Sequence, residues 1–343
     1  MATMKANLYM GNKSMALTEV EIPEVGYQKI KVKIKYCALC ATDAHVVAHD
    51  LFHRPKGFGL GHELSGEIVE LGEGLEKYDF AVGDRVICFP LIHCGKCSFC
   101  KRGLTQYCIE KQAARFPGMA EYCVCDVGQV YKIPKDGDYK KYCLVEPMTC
   151  AIRGIDIADI KIGQNVAISG AGGIGMILLN MILLQGGANV TVIEPVEGKR
   201  ELALEMGAQY AIDPRTENLI DRAMEITNGQ GFDVIFEASG VPAAAEPLLK
   251  MVAHCGRILY FAVFPEDYYL PVNLFDLYNR EVKILTAFCS SDIVPRAIQL
   301  VPRMDMERII GKIYRLEDVE QAFADFRKSI YPKILIQCNP DEE

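Results

Sequence analysis

A glycine-rich turn between two apolar segments is the feature that most constrains how this chain folds. Residues 165–169 form a short run typical of a buried strand, and residues 176–184 form an apolar run long enough for a helix. Strand, G-x-G-x-x-G and helix in this order are what a dinucleotide-binding unit requires. The glycines allow a tight turn, and they let a pyrophosphate approach the helix N-terminus. The predicted cofactor contacts in this turn are Gly170, Gly172, Gly173, Ile174 and Gly175.

An acidic residue follows at the distance that such a unit requires. The next apolar strand, residues 190–193, ends on Glu194, about 20 residues beyond the glycines. A carboxylate there accepts hydrogen bonds from the adenosine ribose, and it repels the extra phosphate of NADP by on the order of a few kcal/mol. We therefore expect NAD as the cofactor. Lys199 and Arg200 follow, however, and an arginine near this position can accommodate NADP.

Alternating helix and strand patterns continue after Glu194 and predict a doubly wound parallel sheet. The predicted helices are 198–206, 216–227 and 243–253, and the predicted strands are 209–212, 233–237 and 256–261. The first 145 residues instead alternate polar and apolar positions and predict a mostly β part. Beyond about residue 288 the remaining elements are too few for a third domain, so we expect them to complete the first part. They are helices at 292–300 and 316–328 and a strand at 333–336.

Composition excludes several classes of protein. The chain has 343 residues, half of them hydrophobic, and a net charge of −8 with no basic block, which argues against binding to nucleic acid or an anionic membrane. No apolar run has the length of a membrane span, and the N-terminus lacks the apolar core of a secretory signal. Fourteen cysteines in such a chain indicate metal ligands and buried thiols rather than disulfides. We expect a cytoplasmic location.

Four cysteines share one short segment with the spacing C-x2-C-x2-C-x7-C. Four thiolates make a closed, tetrahedral zinc site that has a structural role. An iron–sulfur cluster is the alternative, since C-x2-C-x2-C also begins ferredoxin motifs. The sequence has no second set and no Cys-Pro after the fourth cysteine, so zinc is favoured. The predicted ligands are Cys94, Cys97, Cys100 and Cys108.

A second set of metal-ligand types is split between Cys40 and the pair His62-Glu63, about 20 residues later. Thiolate, imidazole and carboxylate are ligands that zinc takes in catalytic sites. A folded scaffold must bring the two parts together, and either residue alone could be an ordinary core cysteine or histidine. Near Cys40, Thr42 offers a hydroxyl that can relay a proton, and His45 titrates near neutral pH.

Together these motifs resemble the zinc-dependent medium-chain dehydrogenase/reductases, on the alcohol, sorbitol and threonine dehydrogenase side. The resemblance covers essentially the whole chain and includes Glu146-Pro147 and Glu237-Ala238-Ser239-Gly240. It implies an α/β protein with a GroES-like β-rich catalytic domain, into which a Rossmann domain is inserted. The expected catalytic domain is 1–148 and 288–343, with the structural zinc lobe at about 90–110, and the Rossmann domain is 149–287.

The resemblance also implies a ligand set. Cys40 and His62 would bind a catalytic zinc, Glu63 would be a ligand or an exchanging one, and Glu146 would bind the metal or its water. Glu146 stands where alcohol dehydrogenases have a second cysteine, as in polyol dehydrogenases, and the sequence does not decide which glutamate is the direct ligand. With the four-cysteine lobe this gives two zinc ions per chain.

Catalytic roles follow in the same way. In the family, the proton of the alcohol leaves through the hydroxyl at Thr42, the nicotinamide ribose and the imidazole at His45, with Glu63 as the third catalytic residue. Lys199 would lie on the adenosine side of the cofactor, and Val263 is also assigned to the cofactor site. Homodimers or homotetramers are expected.

The polar loop between the two ligand clusters favours a polyol, sugar or hydroxy acid over a long aliphatic alcohol. Sorbitol itself is disfavoured, because Cys289 stands near the place where sorbitol dehydrogenases have an arginine. Phe116 and Phe288 are weaker pocket candidates. The prediction is NAD-dependent oxidation of a secondary alcohol in a small polar, polyol-like molecule.

Three alternatives stay open. The first is a threonine-type amino-alcohol or hydroxy-acid dehydrogenase, with Arg54 or Arg115 binding the carboxylate. The second is a cofactor-binding protein that has lost catalysis, and the third is a redox-sensing zinc protein that uses the four-cysteine lobe as a switch.

Overall fold

The computed structural model describes residues 2–110, 112–113, 116–186, 189–288 and 293–340. Its N-terminal part is mainly β, as the alternating pattern predicts. The strands are β1 (Thr3–Gly11), β2 (Ser14–Glu21), β3 (Lys29–Ala38), β4 (Phe58–Gly59), β5 (Glu63–Leu71), β6 (Arg85–Cys88), β7 (Leu91–Ile92), β8 (Gln112–Ala113), β9 (Tyr122–Asp126) and β10 (Val130–Lys132). Three helices interrupt them, α1 (Ala41–His49), α2 (Ser98–Lys101) and α3 (Tyr139–Tyr142).

The second part alternates helices and strands. Its helices are α4 (Val145–Ala158), α5 (Gly173–Leu184), α6 (Glu197–Glu205), α7 (Leu219–Ile226), α8 (Pro242–Ala245), α9 (Leu248–Met251) and α10 (Leu274–Arg280). Its strands are β11 (Asn165–Ser169), β12 (Asn189–Ile193), β13 (Tyr210–Ile212), β14 (Phe232–Glu237), β15 (Val252–Tyr260) and β16 (Lys283–Thr286). All neighbouring pairs in this sheet are parallel, in the order β13-β12-β11-β14-β15-β16. Strand order reverses beside β11, the place where such sheets bind ligands at their carboxyl ends.

Two segments of this second part differ from the sequence prediction, and elsewhere α1, α12 (Met306–Ile309) and a strand at Ile310–Arg315 have no predicted counterpart. The helix predicted at 243–253 is two short helices, and β15 already begins at Val252. Pro247 lies between the helices and has no N–H to continue a helical ladder, and Val252 pairs with Phe232 of β14. The elements α10 and β16 have no counterpart in the prediction. Both are largely exposed, so their sequences lack a clear apolar period.

The chain then returns to the first part. Its last elements are α11 (Val294–Leu300), α12 (Met306–Ile309), β17 (Ile310–Arg315), α13 (Val319–Arg327) and β18 (Lys333–Gln337). Strand β18 lies antiparallel to β3 and parallel to β17, giving the sheet order β10-β6-β5-β3-β18-β17, with β9 on β3 as well. Helices α11 and α12 contact α4 and α5, so the segment 294–309 packs on the second part before the chain rejoins the first.

Alternation along β3 explains how the β part forms its core. Ile30, Val32 and Ile34 are fully buried, while the lysines between them point away from that core. This is the two-residue period of a half-buried strand. Across the described ranges, no helix combines the length and apolar character needed to cross a membrane.

Candidate metal and dinucleotide site

The pairing of β3 with β5 brings the two ligand clusters together. Ala38 near the end of β3 lies opposite Glu63 at the start of β5. Cys40 follows β3 as the N-cap of α1, and His62 directly precedes β5. As a result the ligand atoms of Cys40, His62 and Glu63 all lie within 4.8 Å of one another. A thiol, an imidazole and a carboxylate in one cluster fit zinc in a catalytic setting, where three protein ligands leave a position open.

Asp43 orients the imidazole of His62. Its Oδ1 lies 3.4 Å from His62 Nδ1 and accepts a hydrogen bond of 3.0 Å from the N–H of Gly61. Burial lowers the pKa of His62, but the charges of Asp43 and Cys40 more than offset this, so that the pKa is raised. With Nδ1 held by Asp43, the other ring nitrogen is the one left for a metal.

Gly61 is required by the backbone at this point. Its φ is +89°, and a Cβ there would lie 2.7 Å from both Cys37 Sγ and the backbone nitrogen of Met119. Any side chain would therefore displace the strand end that carries His62.

A buried lysine, which sequence reasoning missed, completes the charge arrangement. Lys333 at the start of β18 is 5% exposed, and its Nζ lies 2.8 Å from Oε1 and 2.6 Å from Oε2 of Glu63, which is 1% exposed. Burial opposes the charged ammonium, but Glu63 raises the pKa of Lys333 above its ordinary value. The available signal was a lysine at the head of the apolar run Ile334-Leu335-Ile336, where a charged residue needs a partner.

Glu146 lies in the first turn of α4 and is half-buried. It is outside the group of three ligand atoms within 4.8 Å. Burial raises the pKa of Glu146 to about 7, with His62 opposing and Glu63 adding to the shift. The charges of His62 and Glu63 therefore affect the Glu146 carboxyl, although Glu146 is not one of the three clustered ligand residues.

Thr42 and His45 lie on α1, on the chain directly after Cys40, and both are half-buried. The His45 ring centroid is 5.6 Å from that of His49. Burial lowers the pKa of His45, and the nearby His49 lowers it further. His45 is therefore a neutral imidazole near neutral pH and is able to accept a proton.

The four-cysteine segment folds into a compact thiol cluster. Sγ of Cys97 is 3.5 Å from Sγ of Cys100, which is 4.0 Å from Sγ of Cys94. Zn–S bonds of about 2.3 Å in a tetrahedron place sulfurs about 3.8 Å apart, which these distances match. Backbone N–H groups of Cys94 and Cys97 point at Sγ of Cys108 and Cys94, both at 3.3 Å, and such bonds stabilise thiolates.

The glycine turn has the shape that the sequence predicts. Gly170 has φ +102°, and a Cβ on Gly175 would lie 1.9 Å from the carbonyl oxygen of Gly170. A Cβ on Gly172 would meet nothing within 4 Å, so its open face leaves room for a ligand. Ile174 is half-buried in the first turn of α5, which begins at Gly173. The turn therefore combines a tight bend with a free helix N-terminus.

Glu194 is buried behind this turn. Its Oε2 accepts a 2.8 Å hydrogen bond from the N–H of Ala171, and its Oε1 accepts one of 2.9 Å from the N–H of Val196. Lys199 Nζ is 3.9 Å from Oε2 and donates to Ser329 Oγ at 2.9 Å. The carboxylate thus ties the glycine turn to the end of β12.

Arg200 is held in place near Glu194. Its guanidinium donates to the carbonyl oxygen of Glu194 at 2.8 Å and forms an ion pair with Asp213 at 3.2 Å. Val263 is 61% exposed, and its carbonyl oxygen would lie 2.8 Å from a Cβ on Gly240. Val263 is thus beside the loop that follows β14, at the same end of the sheet as Glu194.

The remaining candidates divide into three cases. Phe116 is buried in the β core, and Phe288 is 51% exposed with its ring 6.0 Å from that of Tyr107. Arg54 is half-buried, 4.6 Å from the centroid of Phe58. Arg115 and Cys289 lie outside the described residues.

With this geometry established, comparison with known proteins decides the family. The model of the alcohol dehydrogenase GroES-like domain matches residues 26–135, and that of the zinc-binding dehydrogenases matches 173–303. The chain is 30% identical to the 2-dehydro-3-deoxy-L-galactonate 5-dehydrogenase of Pseudoalteromonas atlantica, over 99% of this chain and 100% of that one. The chain belongs to the zinc-dependent medium-chain dehydrogenase/reductase family. The predicted family and fold class are confirmed.

Two further likenesses bear on this dehydrogenase. It is 36% identical to the L-threonine 3-dehydrogenase of Pyrococcus furiosus, over 73% of this chain and 72% of that one. A zinc-binding dehydrogenase structure from Sinorhizobium meliloti 1021 with bound NADP has a TM-score of 0.90 and 28% identity, covering 98% of this chain and 100% of that one. The dehydrogenase is thus an oxidoreductase of the alcohol dehydrogenase type that uses a nicotinamide cofactor.

The buried pair Lys333–Glu63 gives a stability prediction. In the metal-free dehydrogenase, Lys333→Met leaves the Glu63 carboxylate buried without a cation and is expected to lower the free energy of unfolding by about 3–5 kcal/mol. Denaturant unfolding measures this loss, which should shrink in zinc-loaded protein because the metal compensates the same carboxylate.

Lys31→Met is the matched control. Lys31 on β3 pairs with Glu70 at 2.5 Å, but the Glu70 side chain is half exposed. Removing the Lys31 ammonium should therefore lower the free energy of unfolding by at most about 1 kcal/mol. Equal losses of unfolding free energy in the two variants would contradict this prediction. A loss in Lys333→Met that zinc does not change would also contradict it, because zinc would then not compensate Glu63.

Proposed function

We propose that the chain is a zinc- and NAD-dependent dehydrogenase that oxidises a secondary alcohol of a small polar, polyol-like substrate. The observation that carries this proposal is the cluster of Cys40, His62 and Glu63, whose ligand atoms lie within 4.8 Å of one another. The carboxylate-for-cysteine exchange at Glu146 makes the site harder than one with two thiolates.

Cys40 and His62 would hold the catalytic zinc, with Glu63 or Glu146 completing its shell. Glu63 already has a cation in Lys333, so it is suited to exchange between lysine and metal, whereas Glu146 has no ion pair among the described residues. When bound, zinc supplies Lewis acidity that lowers the pKa of the substrate hydroxyl. Cys94, Cys97, Cys100 and Cys108 would hold a second, structural zinc.

Side chains of this protein would carry the proton of the substrate hydroxyl to solvent. Oxidation of an alcohol removes a hydride from carbon and a proton from oxygen, and the nicotinamide of NAD accepts the hydride. Thr42 would pass the proton from the substrate hydroxyl towards solvent, and the neutral imidazole of His45 would accept it. Asp43 keeps His62 in one orientation throughout.

NAD is proposed over NADP because Glu194 is a buried carboxylate at the end of β12, and it would repel a phosphate on the adenosine ribose. Two cations lie nearby: Arg200 is engaged by Asp213, and Lys199 donates to Ser329. The NADP-bound structural relative makes this the point at which the two cofactors must be compared directly.

One observation favours a second candidate function, the oxidation of an amino-alcohol or hydroxy acid. Arg54 is stacked on Phe58, and its Nε is buried without a hydrogen-bond partner among the described residues. An arginine in such a setting suits a substrate carboxylate. Two of the relatives above are named for threonine and for a sugar acid.

The dehydrogenase is proposed to be a homodimer or homotetramer. β16 is the edge strand of the parallel sheet, and beside it Leu274, Phe275 and Tyr278 are each at least 73% exposed. A sheet edge with exposed aromatic residues is a surface that another copy of the same chain can cover.

The first prediction tests the reaction. Formation of NADH from NAD, or of NADPH from NADP, is measured with polyols, sugars, inositols, sugar acids, L-threonine and simple secondary alcohols, each with and without a chelator. Chelator-sensitive turnover with a polyol-like alcohol is expected, with a higher kcat/KM for NAD because of Glu194.

Each other outcome has a distinct meaning. Turnover confined to carboxylate-bearing substrates, and lost in Arg54→Met, would favour the second candidate. Comparable kcat/KM with NADP would contradict the cofactor proposal. Absence of turnover with intact NAD binding and about two zinc ions per chain would contradict the polyol proposal.

The proton path gives the second prediction of this section. His45→Gln removes the accepting imidazole and is expected to lower turnover at about pH 6 to 7, with partial recovery on adding imidazole as an external base. Because the pKa of His45 is lowered, wild-type turnover should hold through neutral pH and fall only as acid protonates the ring.

His49→Gln is the control, since His49 is the exposed neighbour of His45 on the same helix. It should leave turnover near the wild-type value. Equal turnover in His45→Gln and wild type across this pH range would remove His45 from the path.

Assembly gives the third. Light scattering should show a mass of at least twice the 38.1 kDa chain, and Phe275→Glu should lower it by placing a charge in the covered surface. Ile162→Glu, at an 81% exposed apolar position elsewhere, is the control and should not change the mass. A wild-type mass of one chain would contradict the proposal.

A further inference from the structure

A third group of metal-ligand side chains lies inside the β part and shares no residue with either set of predicted ligands. Cys88 is the last residue of β6, and Cys123 and Cys125 lie two residues apart on β9. Their ligand atoms all lie within 4.8 Å of one another, and Sγ of Cys123 is 3.6 Å from Sγ of Cys125. At most 1% of each residue is exposed.

The sheet topology explains how these thiols meet. β5 and β3 separate β6 from β9 along one side of the sheet, but β10, which follows β9 after a short turn, pairs with β6 and places Val130 opposite Cys88. Cys123 and Cys125 share one face of β9, because side chains two residues apart on a strand point the same way. The alternating burial of β9 places both on the core side.

The chemistry of the group differs from that of an apolar core filler. The three thiols are hydrogen-bonded to one another: Cys88 to both Cys123 and Cys125, and these two at an Sγ–Sγ distance of 3.6 Å. A thiolate here has other thiols as partners, and ligand sulfurs already lie near one another before any metal binds. Cysteines that only filled space would act as small apolar groups.

We propose that Cys88, Cys123 and Cys125 form a third metal site, a low-coordinate site for Cu(I). Soft thiolate ligands select Cu(I) or zinc. Structural zinc takes four ligands, and the group contains no fourth His, Cys, Asp or Glu ligand among the described residues, whereas Cu(I) is stable with two or three thiolates. Each thiol that binds the ion releases its proton to solvent.

The test uses the zinc-loaded, full-length dehydrogenase under anaerobic, reducing conditions. Cu(I) is delivered from a chromophoric chelator, and copper bound per chain and zinc released are both measured. One arm adds Cu(I) to folded protein, and another has it present during refolding, because burial of the three thiols limits direct entry. About one copper per chain without an equivalent release of zinc is the expected result.

Variants locate the ion. Cys88→Ala and Cys125→Ala each remove a proposed ligand and should lower the copper affinity by at least about tenfold, since loss of even an outer-shell partner costs about that much. Cys338→Ala is the control, since Cys338 is buried in the same core but is not in the group. It should retain copper binding.

Two results would overturn the proposal. The first is no copper taken up by wild-type protein in either arm, which needs no variant to fold. The second is copper uptake matched by zinc release, since copper would then be replacing zinc. Copper uptake that is unchanged in both Cys88→Ala and Cys125→Ala would equally overturn it, since the copper would then be bound elsewhere.

Discussion

The ion pair between Lys333 and Glu63 is the contact on which the arrangement of the site depends. The two residues are 270 positions apart, and both are almost completely buried. Each charge would be costly to bury alone, so the pair is tolerated only while β18 stays beside β3. The stem of Lys333 also lies against the glycine turn, since a Cβ on Gly173 would come 2.9 Å from Lys333 Cδ. One side chain thus contacts the metal-ligand cluster and the start of the cofactor helix.

Strand register does the remaining positioning. Because Ala38 pairs with Glu63, the chain positions just beyond β3 and just before β5 meet at one edge of the sheet. A shift of one residue would turn every side chain of β5 to the other face. The buried Leu64 and Ile68 of β5 oppose such a shift, since it would cost their burial. The strand register that buries the core is therefore the register that brings Cys40 and His62 together.

Sequence reasoning found the parts of the site whose chemistry is local. The glycine turn, Glu194 and the four-cysteine lobe are short-range patterns, and the structure places each motif in one compact feature. Lys333 was missed because its meaning depends on a partner 270 residues away. The order of the two glutamates around Cys40 and His62 was undecidable for the same reason. The structure places the Glu63 carboxylate in the group with Cys40 and His62 and leaves Glu146 outside that group, and the direct ligand stays part of the proposal.

The two cysteine clusters among the described residues show why spacing alone cannot separate a metal site from a core. Sulfur atoms of Cys94, Cys97 and Cys108, which are close in sequence, accept hydrogen bonds from backbone N–H groups, so both their spacing and these bonds indicate thiolates. Cys88 is 35 residues from Cys123, and the pairing of β6 with β10, the strand that follows β9, brings them together. Within a low-dielectric core a thiolate charge is costly, and the ion that these sulfurs bind offsets part of that charge. Cysteines are thus suited to different metal ions according to their surroundings, and the fold determines those surroundings.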